Sequence, residues 1–171
     1  MEYWYAVFVR GGKEEKVRAR MEYKFKDIDD EISFVLPKLL LKERKGGIWY
    51  EREKTLLPGY VLINGEMNHD KLAMLRGVPD FIKLLKTGDE IRPIPENEIF
   101  VLGTLMQDGE TIGISDIIIE GDKVAVVDGP LKSLEGIVKS IDKRKGRARI
   151  RVSFLGDERL VTVGVNIIDK L

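Results

Sequence analysis

The chain has 171 residues, with no cysteine and a single histidine. Without cysteine it forms neither disulfide bonds nor thiolate metal sites, which fits a cytoplasmic protein. It also has no apolar run approaching the ~20 residues that span a bilayer. Arg10 and Lys13 interrupt the apolar start too early for a signal peptide. We therefore expect a cytoplasmic protein with no membrane partner.

Residue patterns that carry catalysis or bind a metal are also missing. The sequence shows no nucleophile with its base and no metal-ligand cluster, and Gly11-Gly12 lacks the rest of a dinucleotide fingerprint. The acidic stretch from Asp27 to Glu31 lacks the ligand spacing of a calcium loop and indicates a solvated loop. His69 stands near an expected helix start, which favours a surface or capping-turn residue. We expect no enzyme activity, no metal and no cofactor.

Charge is abundant but unevenly distributed. Charged residues make up 34% of the chain and the formal net charge is zero. Residues 1–120 carry a net charge of −4 and residues 121–171 a net charge of +4. A basic C-terminal module joined to a mildly acidic N-terminal one suggests two partners of different chemistry.

The first two thirds of the chain mixes strand and helix patterns. Gly46-Gly47 is typical of a hairpin turn, and Asn68 suits a helix N-cap. Pro37 inside a strand pattern indicates an edge or a bulge. The patterns predict strands over 3–9, 32–41, 48–55, 60–64 and 81–85, and helices over 13–25, 70–76 and 96–106. Together these elements make an α+β sandwich with a four-stranded sheet.

The last third of the chain is composed of strands and turns. An alternating strand from Gly121 runs into the Asp128-Gly129-Pro130 turn, and Gly136 precedes a further apolar strand. About five short strands over residues 119–171 suit a small β-barrel. We expect a first domain over 1–107, a linker over 108–118 and a barrel domain over 119–171.

One strand of this barrel carries a row of arginines. Every second residue from Arg147 to Arg151 is an arginine, and successive side chains of a strand point to opposite faces, so the arginines stand about 7 Å apart. The residues between and after them, Ala148, Ile150 and Val152, enter the core. Such a row suits the phosphates of an A-form RNA helix, although an ordinary charged solvent face is the alternative. The residues assigned to RNA are Lys143, Arg144, Lys145, Arg147, Arg149 and Arg151.

Five short motifs are distributed over nearly the whole chain, and their order is informative. They are Trp4-Tyr5, Leu56-Leu57-Pro58-Gly59-Tyr60-Val61-Leu62, Arg76-Gly77-Val78 with Phe81-Ile82, Gly121-Asp122-Lys123-Val124 and Asp128-Gly129-Pro130. In this order they resemble the NusG family of transcription elongation factors. The resemblance implies an α+β protein with an NGN-like α/β sandwich, built on an antiparallel sheet, and a C-terminal KOW-type β-barrel.

The resemblance also implies partners for the N-terminal domain. In the family this domain binds an apolar coiled-coil tip on the large subunit of RNA polymerase, which is helix-in-groove recognition. By residue match the contact residues are Tyr5, Phe8, Leu57, Pro58 and Tyr60. The alternative for these residues is a place in the core of a small sheet. Arg10 and Arg76 match basic positions that face non-template DNA in specialised relatives, or they are ordinary surface charges.

Departures from the family pattern favour a specialised member. The general factor has aromatic residues where this chain has Leu56-Leu57, Leu131 and Leu134, and a Phe-Gly-Arg turn where this chain runs from Phe154 to Arg159. Those features help the general factor to dock ribosomal protein S10 or termination factor Rho. The chain therefore resembles the LoaP antiterminators, which implies a monomer that a nascent RNA hairpin recruits to promote read-through of terminators. A general elongation factor that docks S10 or Rho, and a translation-side RNA-binding protein, are the alternatives.

Overall fold

The computed structural model describes residues 3–85, 90–107 and 109–168. The chain divides into two compact units. The first unit comprises residues 1–37 and 57–95, and the second comprises residues 38–56 and 96–171. Each unit therefore draws on two separate segments of the chain.

The first unit is built on a four-stranded antiparallel sheet. Its strands are β1 (Trp4–Val9), β2 (Ser33–Val35), β5 (Tyr60–Asn64) and β6 (Phe81–Leu84), in the order β2-β5-β1-β6. Its helices are α1 (Glu14–Phe25) and α2 (His69–Arg76). The expected antiparallel sheet of the N-terminal half is confirmed.

Apolar periodicity explains why both helices of the first unit form where they do. Val17, Met21 and Phe25 recur every four residues on α1 and are almost completely buried against the sheet. The predicted N-cap of helix α2 is confirmed, because the Asn68 side chain accepts a hydrogen bond from the Lys71 N–H at 2.8 Å; the helix begins at His69, one residue before the expected start. The same core includes Leu72 of α2.

The described residues of the second unit form two sheets, one α-helix and a short 3-10 helix (Glu135–Ile137). Strands β3 (Lys38–Lys45), β4 (Ile48–Thr55) and β7 (Thr111–Ile112) form a three-stranded sheet in the order β4-β3-β7. Strands β8 (Ser115–Glu120), β9 (Lys123–Asp128), β10 (Val138–Asp142), β11 (Arg147–Phe154) and β12 (Asp157–Ile167) form a five-stranded sheet in the order β10-β11-β12-β8-β9. Helix α3 (Glu96–Met106) packs against β11. This five-stranded sheet is consistent with the KOW-type barrel that the resemblance implies.

Two stretches differ from the sequence-based expectation. The strand expected over 32–41 is divided at Leu36-Pro37 into β2 and β3, which belong to different sheets, because proline has no N–H to donate to a ladder. The stretch expected to be a linker contains β7 and the start of β8. Two of its apolar residues, Ile112 and Ile117, are buried.

Among the described residues, the three α-helices are all too short to cross a bilayer. The longest, α1, has 12 residues and carries charges along its length.

Candidate functional site

In the first unit, the Pro58-Gly59 turn brings two aromatic rings together where the inner strands β1 and β5 meet it. Gly59 has a φ of 86°, which glycine adopts without a steric penalty, and a Cβ there would lie 3.2 Å from the Phe8 ring. The Val9 N–H donates to the Gly59 carbonyl oxygen at 2.8 Å, so the turn lies directly against β1. Phe8 and Tyr60 face each other in register, with ring centroids 5.4 Å apart. These partly exposed residues and the exposed Pro58 form an apolar surface.

A buried carboxylate holds this turn in place. The Glu14 side chain accepts hydrogen bonds from the Gly59 N–H at 2.9 Å and the Gly12 N–H at 3.1 Å. Burial raises the pKa of the Glu14 carboxyl, but the N–H groups that donate to it outweigh burial, and the pKa lies below its ordinary value. Glu14 therefore stays ionised and fastens the turn to the start of α1.

Two of the expected polymerase contacts lie in the interior. The exposed fraction of Tyr5 is 6% and that of Leu57 is 1%. Burial raises the pKa of the Tyr5 hydroxyl. Side chains this buried contribute no exposed area, which Phe8, Pro58 and Tyr60 supply.

The two arginines expected to face DNA are both exposed on the first unit. Arg10 lies with its guanidinium 3.7 Å from the Asp80 carboxylate, which also pairs with Arg20 at 3.1 Å. The negative charge of Asp80 therefore compensates part of the positive charge of Arg10 and Arg20. Arg76 is the last residue of α2, where a cation also suits the helix dipole.

In the second unit, β11 shows the alternation that the sequence predicts. Ala148, Ile150 and Val152 are at most 1% exposed, while Arg149 and Arg151 face solvent. The exposed turn of residues 143–145 precedes them, and the Lys145 N–H donates to the Asp142 carboxylate at 3.1 Å, which shapes that turn. The six expected RNA-binding cations thus lie on one hairpin, formed by β10 and β11.

Two of these cations have acidic partners. The Arg147 guanidinium lies 3.7 Å from the Glu43 carboxylate, and the Arg151 guanidinium lies 3.4 Å from the Glu158 carboxylate. The Arg151 pair is exposed, and such a pair contributes only about 0–1 kcal/mol, so a phosphate can displace it. Arg149 and the turn residues supply the more open charge.

Sequence reasoning missed residues of the β3–β4 hairpin that share a cleft with this basic turn. Lys42, Arg44 and Trp49 line it together with Arg144, Lys145 and Arg147. Because these residues are about a hundred positions apart in the chain, no local pattern links them. The available signal was Ile48-Trp49-Tyr50, three large apolar residues directly after a Gly-Gly turn, all of which are at least half exposed.

The described residues contain no group of three or more side chains of the kinds that hold a metal ion. Acidic side chains near the two surfaces instead hold backbone turns: Glu14 binds the Gly59 N–H, and Asp142 binds the Lys145 N–H. The candidate site therefore consists of two surfaces, an apolar one in the first unit and a basic one in the second.

Comparison with known families places the chain among transcription factors. The family model described as "Transcription termination factor nusG" matches residues 2–102, which is more than half of the chain. The chain belongs to the NusG family. It is therefore a transcription termination/antitermination factor of that family, a class of proteins that are not enzymes.

Individual relatives match along almost the full length. The transcription termination/antitermination protein NusG of Escherichia coli strain K12 is 28% identical over 98% of this chain and 95% of its own length. The protein of the same name from Pasteurella multocida is 29% identical over 98% of this chain and 94% of its own length. A solved structure titled "Domain interaction in Thermotoga maritima NusG" is 26% identical and covers 96% of this chain and 94% of its own, with a TM-score of 0.63.

Proposed function

We propose that this protein is an antitermination factor that binds elongating RNA polymerase through its N-terminal domain and is recruited by an RNA hairpin through its basic barrel. Family membership supports the transcriptional role. The observation that carries the RNA assignment is the alternation along β11, which puts arginines on the solvent face and apolar side chains in the core.

The apolar surface at the Pro58-Gly59 turn is the proposed polymerase contact. A coiled-coil tip presents apolar side chains from helices, and an aromatic surface with exposed rings is suited to bind it. Aromatic residues at the centre of such a surface contribute most of the binding energy. We assign that role to Phe8 and Tyr60, because both residues are partly exposed and their rings pack against each other.

Arg10 and Arg76 are the proposed contacts with the non-template DNA strand. Both side chains are exposed, and cations of this kind supply a salt-dependent attraction to phosphates without reading sequence. Replacing both by alanine is expected to weaken binding to a transcription bubble at low salt, measured by gel shift, without changing binding to polymerase alone. Unchanged bubble binding would contradict the assignment.

The two contacts together explain how read-through is promoted. A factor that binds the active conformation of polymerase more tightly than the paused one shifts the enzyme away from pausing. Joining two weak contacts in one chain raises the effective concentration of the second. Recruitment is then selective for transcripts that carry the RNA hairpin, and neither contact has to be tight by itself.

In vitro transcription through a terminator, with the leader RNA upstream and with purified protein added, tests this proposal. Arg147→Glu with Arg149→Glu is expected to abolish RNA binding and read-through but to retain co-elution with polymerase. Phe8→Ala with Tyr60→Ala is expected to abolish co-elution and retain RNA binding. If the wild-type protein neither alters read-through nor co-elutes with polymerase, the proposal is wrong.

The second candidate is a general NusG-type factor whose barrel docks S10 or Rho. Leu131 is 1% exposed and Leu134 is only partly exposed, so these two positions offer little apolar area to a docking protein. This supports a specialised paralogue that resembles the LoaP antiterminators. A pull-down with purified S10 and Rho separates the two candidates, because only the general factor retains either protein.

A further inference from the structure

A cleft in the second unit joins the basic β10–β11 turn to the β3–β4 hairpin. Its volume is about 610 Å³, which lies within the ~300–1,000 Å³ range of ligand sites. The hairpin contributes Lys42, Arg44 and Trp49, and the turn region contributes Arg144, Lys145 and Arg147. It is thus lined by five cations and one large aromatic ring, a combination typical of surfaces that bind unpaired nucleotides.

Trp49 is exposed, and its ring is held in one orientation, as the stacking of a base on it requires. Half of its surface is exposed. Because burial of an indole ring normally contributes to stability, this exposure indicates a role in binding. Its cross-strand partner is Arg44, whose guanidinium lies 5.9 Å from the centre of the indole ring. This cation–π contact and the hairpin ladder orient the ring, so a base that stacks on it needs little reordering of the side chain.

The charge of the cleft remains largely uncompensated by the protein. Glu43 is the carboxylate among the described lining residues, and it pairs with Arg52 at 3.0 Å more closely than with Arg147 at 3.7 Å. The Nε atom of Arg147 is buried and has no hydrogen-bond partner within the described structure. A buried donor without an acceptor costs free energy, and the other guanidinium nitrogens of Arg147 remain at the partly exposed wall of the cleft.

The β3–β4 hairpin packs closely against β12, the strand that pairs with β11. Gly164 is the register partner of Arg147, and a Cβ at Gly164 would lie only 2.7 Å from the Leu40 carbonyl oxygen. The Lys42 ammonium also donates to the Asn166 side-chain oxygen at 3.0 Å. The two walls of the cleft therefore belong to one packed unit.

We propose that this cleft holds an unpaired nucleotide of the RNA, with its base stacked on Trp49 and its flanking phosphates on Arg144, Lys145 and Arg147. This inference rests on the proposed RNA-binding function and specifies which part of the hairpin RNA is recognised. The exposed row of arginines on β11 binds the backbone of the stem, and the cleft selects RNAs with an unpaired loop or bulge beside it. Paired bases are already stacked on their neighbours, so a blunt duplex has no base to offer to Trp49.

The test measures the affinity of the full chain for a fluorescein-labelled RNA hairpin with a randomised loop, by fluorescence anisotropy. Trp49→Ala is expected to weaken binding by about 5- to 150-fold, the range that corresponds to the loss of one base–aromatic stack. Trp49→Phe is expected to restore most of the affinity, because it keeps a ring. A loss below twofold in Trp49→Ala overturns the proposal.

Tyr50→Ala is the matched control. Tyr50 is 51% exposed and Trp49 is 50% exposed, but neighbouring residues of a strand point to opposite faces, and Tyr50 is not among the residues that line the cleft. Its replacement is expected to leave RNA affinity unchanged. If Tyr50→Ala weakens binding as much as Trp49→Ala, the hairpin acts through its stability and the stacking assignment is wrong.

Two further probes separate this inference from the proposed function. A blunt duplex of the same stem is expected to bind more weakly and with no dependence on Trp49. If Arg147→Glu with Arg149→Glu abolishes hairpin binding while Trp49→Ala does not, RNA binding stands and the cleft assignment fails. If no variant affects binding, both fail. Equal binding of a DNA hairpin, with the same dependence on Trp49, overturns the assignment of the cleft to RNA.

Discussion

Glu14 determines the geometry of the proposed polymerase contact although it takes no direct part in it. The residue is 8% exposed, and its carboxylate accepts hydrogen bonds from residues that precede and follow α1 in the chain, Gly12 and Gly59. Gly59 is buried, so water cannot replace the carboxylate at its N–H. The orientation of the Pro58-Gly59 turn, and with it the Tyr60 ring, depends on this one side chain.

Glu14→Ala is expected to lower the free energy of unfolding of the first unit by about 1–3 kcal/mol, the cost of one buried N–H without a partner. Urea unfolding, followed by Trp4 fluorescence in a Trp49→Phe background, measures this. Glu15→Ala is the control, because Glu15 lies in the same turn of α1 but its side chain is 56% exposed. Equal losses in the two variants would contradict the assigned role.

The lowered pKa of Glu14 also predicts a pH dependence. A carboxyl whose pKa is lower in the folded state contributes stability that is present above its unfolded pKa and is lost as pH falls through the folded value. For Glu14 that loss begins below the ordinary glutamate pKa of 4.5. Compared with wild type, Glu14→Gln is expected to be less stable at neutral pH and to lose less stability on acidification. Parallel stability curves between pH 3 and 7 would contradict this.

Sequence reasoning reached some of these residues and not others. The alternation from Arg147 to Val152 is local and was predicted correctly, because a strand repeats every two residues. The contact between Glu14 and Gly59 spans 45 positions in the chain. It was missed because an acidic residue at a helix start is common and carries no sign of a distant partner.

At the scale of elements, α3 and the β11–β12 turn are joined by a second buried carboxylate. The Glu98 side chain accepts hydrogen bonds from the Leu155 N–H at 2.7 Å and the Gly156 N–H at 3.1 Å. Leu155 has a φ of 55°, which is costly for a leucine. The two hydrogen bonds stabilise this strained turn and explain why Glu98 is only 4% exposed.

Glu98→Ala is therefore expected to destabilise the second unit by about 2–3 kcal/mol, since two backbone donors lose a charged acceptor. Hydrogen exchange at Leu155 and Gly156 reports the effect directly, and protection there should fall more than in β12. Glu96→Ala, an exposed change in the same helix turn, should leave protection unchanged. Unaltered exchange in Glu98→Ala would show that the turn is held by other contacts.

The bounds of most elements followed from local signals, and β4, β5 and α3 were predicted to the residue. The pairing of elements was harder to predict. Pro37 indicated an irregular strand, but nothing near it showed that β2 and β3 would join different sheets. Likewise, the apolar residues of β7 and β8 were too few and too close to glycines to distinguish strands from a linker.

At the scale of the whole molecule, the zero net charge is misleading for binding. Affinity for RNA depends on local charge, because each phosphate that is neutralised releases condensed counterions. The β10–β11 hairpin concentrates cations on one edge of the five-stranded sheet. Although its net charge is zero, this protein is therefore expected to bind RNA with the steep salt dependence of a basic protein.

We expect the RNA affinity of wild type, measured between low and physiological salt, to fall steeply when its logarithm is plotted against the logarithm of the salt concentration. Arg149→Glu should reduce the slope by about one, the contribution of one phosphate contact. Lys123→Glu makes the same change in net charge at β9, the opposite edge of the sheet, and should leave the slope nearly unchanged. Equal slopes for the two variants would mean that overall charge governs binding, and the basic hairpin would then lose its assigned role. A reduced slope for Arg149→Glu alone ties RNA affinity to the alternation of β11.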